Sequence, residues 1–69
     1  MAQVNWRKQL AKLLYNGDLE GASNLLEGGL RSNPRNMSMK VELGKVQFMQ
    51  GDIDSARTTF EGALLANPD

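Results

Sequence analysis

The stretch NGDLEGASNLLEGGLRSNP, residues 16–34, decides the fold, because QGDIDSARTTFEGALLANP, residues 50–68, repeats it at an offset of 34 without a gap. At that offset Gly17 meets Gly51, Asp18 meets Asp52, Ala22 meets Ala56, Glu27 meets Glu61 and Gly28 meets Gly62. Leu30, Asn33 and Pro34 then meet Leu64, Asn67 and Pro68. Inside the first stretch Leu19, Ala22, Leu25, Leu26, Gly29 and Leu30 fall at helical spacing, and Ile53, Ala56, Phe60, Ala63 and Leu64 repeat the stripe. Each helix is preceded by a Gly-Asp pair, in which glycine permits the turn and aspartate accepts hydrogen bonds from the free N–H groups of the helix start. Each ends at Asn-Pro, since proline cannot continue a helix and biases the residue before it out of the helical region.

Outward from these segments, the first halves of the two units share no identical residue at the offset. Trp6, Leu10 and Leu13 form one apolar stripe, and Val4, Ala11, Leu14 and Tyr15 a second beside it, so this helix needs two neighbours. Met37, Met39, Val41 and Leu43 alternate as a strand would. The 34-residue register nevertheless sets them opposite a good helix, and Val46, Phe48 and Met49 return to a helical pattern. The reading is all-α: four helices at about 3–16, 19–32, 37–50 and 53–66, forming two helix-turn-helix hairpins stacked as a short α-solenoid. The chain forms one domain over 1–69, with the first repeat at about 3–36 and the second at about 37–69.

Composition narrows the functions. With 69 residues, of which 41% are hydrophobic and 23% charged, the chain is one small globular domain and not a large enzyme. It has no Cys and no His, so disulfides, the usual zinc ligands, the thiol nucleophile and the default general base are all missing. No catalytic residue, metal ligand or cofactor is assigned. Asp52 and Asp54 are a close carboxylate pair, but capping of a helix start accounts for them. Eight basic residues balance eight acidic ones, which lacks the excess that nucleic-acid binding requires. No segment is long and apolar enough to insert in a membrane, and the expectation is a soluble chain, cytoplasmic by default.

A 34-residue helix-turn-helix unit with this punctuation resembles the tetratricopeptide repeat, whose signature is W-x2-L-G-x2-Y, then A-x3-F, then P. In the first unit Trp6, Ala22 and Pro34 stand in place, with Leu26 for the Phe and with Gln9, Leu10 and Leu13 for the Leu, Gly and Tyr. In the second, Leu43, Gly44, Ala56, Phe60 and Pro68 match, while Lys40 and Gln47 take the Trp and Tyr places. The small residues let the helices of a hairpin approach, and the large ones fill the space between hairpins, so Trp6, Leu26 and Phe60 are packing residues.

The resemblance implies a protein–protein interaction or scaffold module, in which the first helices of the units line a groove for a peptide or partner protein. Carried over by position, the groove residues are Val4, Arg7, Ala11, Leu14 and Tyr15 in the first unit and Ser38, Val41, Lys45, Phe48 and Met49 in the second. Tyr15, Phe48 and Met49 supply adaptable apolar surface, and Arg7 with Lys45 suit an acidic ligand. Ala11 and Lys45 hold the place of the Asn with which chaperone-binding members of the family clamp a terminal carboxylate, which argues against that ligand. The core alternative for Leu14, Phe48 and Met49 stays open. The alternative expectation is a self-assembling repeat fragment with no separate ligand, a homo-oligomer formed through Phe60, Leu64 and Leu65 by face-to-face docking or by exchange of hairpins through the Pro34 connection, because two units leave the last helix uncovered. Residues 1–36 carry five basic and three acidic side chains, a net +2, and residues 37–69 carry the reverse, a net −2. The two ends therefore attract one another, modestly at physiological salt.

Overall fold

The computed structural model describes residues 6–66. They form four helices in chain order: α1 (Trp6–Tyr15), α2 (Leu19–Ser32), α3 (Met37–Met49) and α4 (Ile53–Ala66). Each packs on the next, α1 on α2, α2 on α3 and α3 on α4, as expected of two stacked hairpins. The start expected for α1 at about residue 3, Val4, and the Asn67-Pro68 stop lie outside the described residues.

The Gly-Asp pair does two jobs at each hairpin turn. Gly17 and Gly51 have φ of +74° and +84°, the left-handed region that closes a helix at little cost only with glycine. The N–H of Gly17 donates to the Leu14 carbonyl at 3.0 Å and that of Asp18 to the Leu13 carbonyl at 2.8 Å; Gly51 to Phe48 and Asp52 to Gln47 repeat the pattern at 3.0 and 2.9 Å. This Schellman closure satisfies the last carbonyls of the first helix. The same aspartates then open the second helix: Asp18 Oδ1 accepts from the N–H of Gly21 at 2.8 Å, and Asp52 Oδ1 from that of Ser55 at 3.3 Å. Between the units, a turn over Pro34 and Arg35 is closed by the N–H of Asn36 donating to the Asn33 carbonyl at 3.1 Å. Asn36 Oδ1 caps α3 by accepting from the N–H of Met39 at 3.1 Å.

The core is Leu10, Ala22, Leu26, Met39, Leu43 and Val46, with Trp6, Leu13, Leu14, Leu25 and Leu30 packed partly buried against it. Ala56 and Ala63 of α4 are buried as well. Met39, Leu43 and Val46, spaced by four and three, are the buried side of α3 and confirm it as a helix despite its alternating sequence. A Cβ at Gly44 would stand 2.5 Å from the Phe60 ring, so the absence of a side chain is what lets α3 and α4 close. Gln47, in the Tyr place, is half-buried and its side-chain oxygen accepts a hydrogen bond from the Thr59 hydroxyl at 2.7 Å, which pairs polar groups between α3 and α4. No described helix is long and apolar enough to cross a membrane.

Candidate functional site

The face made by α1 and α3 is set by the two-sided character of these helices. Packing uses Leu10 and Leu13 on α1 and Met39, Leu43 and Val46 on α3, and this leaves a second stripe of each helix toward solvent. Arg7 and Val41, Ala11 and Lys45, and Tyr15 and Met49 stand at the same repeat positions. Arg7 and Val41 line one cleft of about 270 Å³ between α1 and α3, together with Met37, Ser38 and Glu42.

The side chains expected at a groove divide cleanly. Tyr15 is 91% exposed, Phe48 59%, Met49 50% and Val41 37%, so none of these four is core. Ala11 is exposed too, whereas Leu14 is half-buried and packs against the core cluster. The second stripe of α1 is therefore buried only at Leu14, and α1 finds one neighbour along most of its length.

Both cations on this face already have a partner. The Arg7 guanidinium lies over the Trp6 ring, 4.6 Å from its centre, and Lys45 Nζ is 3.6 Å from a carboxylate oxygen of Glu42. Neither contact is strong enough to hold the cation against a better ligand, since exposed pairs of this kind are worth about 1 kcal/mol or less. Met37 and Glu42 belong to the cleft but were not expected there. Met37 lies four residues before Val41 and Glu42 three before Lys45, a spacing that carries the signal. Among the described residues no group of three or more potential ligands could hold a metal ion.

The self-association residues lie at the far end. Leu64 and Leu65 are 63% and 84% exposed, and Phe60 is half-buried. Met37, Val41, Phe60, Ala63 and Leu64 line an open apolar groove of about 350 Å³ between α3 and α4.

Two helical hairpins in a 34-residue register, each packed on the next, define an α-solenoid repeat protein. The sequence profile of the tetratricopeptide repeat matches residues 13–69, and the chain belongs to the tetratricopeptide repeat family. It is 31% identical over 67 residues to a protein of Schizosaccharomyces pombe (strain 972) described as a DnaJ homolog subfamily C member 7 homolog. That alignment covers 96% of this chain and 14% of the relative, so the chain spans about one-seventh of the relative's length. No solved structure matches the chain. Family membership supports a protein–protein interaction module in general terms, in a family that is generally non-enzymatic.

Proposed function

We propose that the chain acts as one unit over residues 1–69, repeat one at about 3–36 and repeat two at about 37–69, and binds an extended or helical segment of a partner protein along the α1/α3 face. Tyr15, Val41, Phe48 and Met49 are its apolar contacts, with Ala11 giving clearance beside them. Arg7 and Lys45 select an acidic segment by exchanging Trp6 and Glu42 for ligand carboxylates. Leu14 supports the face from beneath. The observation that carries this reading is that the stripe of α1 and α3 unused in packing bears exposed Tyr15, Phe48 and Met49, where a purely structural helix pair is expected to be polar. Tyrosine and methionine are the side chains that give most contact area at an adaptable surface.

The test is to pan the folded protein against two displayed peptide libraries of equal length, one enriched in Asp and Glu and one neutral, and to measure selected peptides by fluorescence anisotropy. Selection from the acidic library, with affinity falling about ten-fold for Tyr15→Ala or Lys45→Glu at unchanged helicity, supports the reading. Peptides that bind both variants as well as the parent chain overturn the assignment of the face.

A further inference from the structure

The face of α4 that flanks α3, where Phe60 and Leu64 line the open groove with Met37 and Val41, asks for a neighbour, and the internal repeat defines what would fit. In α2, on which α3 packs, Leu26 of the stripe Leu19, Ser23, Leu26 and Leu30 is fully buried and the other three are half-buried. The same positions of α4 are Ile53, Arg57, Phe60 and Leu64. Ile53 and Leu64 are 45% and 63% exposed, Arg57 is exposed, and Phe60 is half-buried.

Two helices of a second copy fit poorly there. Continuing the solenoid would seat α1 of another chain on α4, in the way α3 sits on α2 through Met39, Leu43 and Val46. One repeat earlier those places hold Asn5, Gln9 and Lys12. Gln9 and Lys12 are exposed, so α1 offers a polar side to any helix before it, and head-to-tail stacking would bury polar groups without partners. An exchanged α3 fits less well, because its Met39 side chain would have to shift. Met39 packs so closely on Gly29 that a Cβ there would stand 2.5 Å from its sulfur, and α4 has Ala63 at that place.

The helix that does complement α4 is α4 itself. Ile53, Arg57, Phe60 and Leu64 are spaced four, three and four, the seam of two helices packed side by side. Read antiparallel about a two-fold axis between Thr58 and Thr59, Ile53 meets the partner's Leu64 and Arg57 meets the partner's Phe60. Arg57 also falls beside the partner's Glu61. Every contact occurs twice, as an isologous interface requires. Among the described residues Arg57 enters no ion pair, so its charge is free for the ring face and the carboxylate across the axis.

We propose that two copies of this chain dimerise through an antiparallel α4–α4 contact centred on Arg57 and Phe60, and that the polar side of α1 stops the assembly at two. The surface adjoins the α1/α3 face at Val41, which lines the groove beside Phe60 and Leu64, while Tyr15, Phe48 and Met49 lie outside that groove, and it does not depend on a partner being found for that face. A contact of one helix per side is small, below about 1,200 Å² in total, so the dimer exchanges with monomer and dilution reads it.

Sedimentation equilibrium over about 1 μM to 1 mM, with circular dichroism of every sample, is the test. The expected result is a monomer–dimer equilibrium in which Leu64→Asp and Arg57→Glu each raise the dissociation constant about ten-fold or more, with helicity kept. Arg57→Glu sets four acidic groups around the axis, and adding Glu61→Arg restores opposite signs, so the double variant should return to within about three-fold of the parent chain. Tyr15→Ala should leave dimerisation untouched. A monomer at every concentration, growth beyond the dimer, or a dimer indifferent to Arg57→Glu would each overturn the proposal.

Discussion

Glycine shows how much one residue type can mean at different places in this chain. Gly17 and Gly51 stand at positive φ, where a Cβ is strained, and Gly17→Ala is expected to lower stability by about 1–2 kcal/mol in urea unfolding. Gly44 is required by space, not by φ, because its place against the Phe60 ring has no room for a methyl group. Gly44→Ala should cost about 1–3 kcal/mol as Phe60 is pushed off α3. Gly28 and Gly62 have neither constraint: a Cβ at Gly28 would come no nearer than 4.0 Å to the Arg31 side chain, and one at Gly62 would meet nothing. In mid-helix each is therefore a loss of backbone order without return, and Gly28→Ala or Gly62→Ala should raise stability by about 0.5–1 kcal/mol in the same experiment. The repeat signature made Gly44 legible in the sequence. Gly28 and Gly62 recur at the same place in both units, yet no packing reason exists for either.

At the scale of the element, the punctuation was readable because it is local chemistry. A left-handed glycine followed by a capping aspartate needs no knowledge of the rest of the molecule, and both hairpin turns follow it. Asp18→Ala should cost about 1 kcal/mol, and Asp52→Ala less, since its hydrogen bond is 3.3 Å against 2.8 Å; thermal melts of the two variants would rank them. The Asn36 cap was missed, since the Asn-Pro stop two residues earlier drew the reading and Asn36 begins the next helix. Periodicity was ambiguous for α3 for a physical reason. Met39, Leu43 and Val46 face the core while Met37 and Val41 line clefts on other sides, and a helix flanked on several sides loses the single stripe by which helices are recognised. The candidate face was half-legible on the same ground. Leu14 and Tyr15 are adjacent and both apolar in sequence, but one packs on the core and the other is almost wholly exposed, a difference set by where the core cluster lies and by nothing local.

For the whole molecule the question is whether two units unfold as one. Each helix packs chiefly on its chain neighbours, and in such linear arrays cooperation rests on the interfaces between units. Here that interface is the α2/α3 contact, and Leu26, with no exposed surface, sits at its centre among Leu10, Ala22, Met39, Leu43 and Val46. Because both hairpins bury their main apolar residues in this one cluster, neither keeps a core when the other opens. The chain has a single tryptophan, Trp6, and it packs on that cluster from α1. Its fluorescence therefore reports the first unit while far-ultraviolet circular dichroism reports all four helices. The two transitions are expected to coincide in urea, the sign of a two-state unit. Leu26→Ala should cost about 2–5 kcal/mol, and a chain this short commands only about 3–5 kcal/mol in total. The variant should thus lose both signals together at low or zero denaturant. If instead Trp6 is released first and most of the helical signal persists, the second hairpin stands without the first, and the shared cluster is not what unites them.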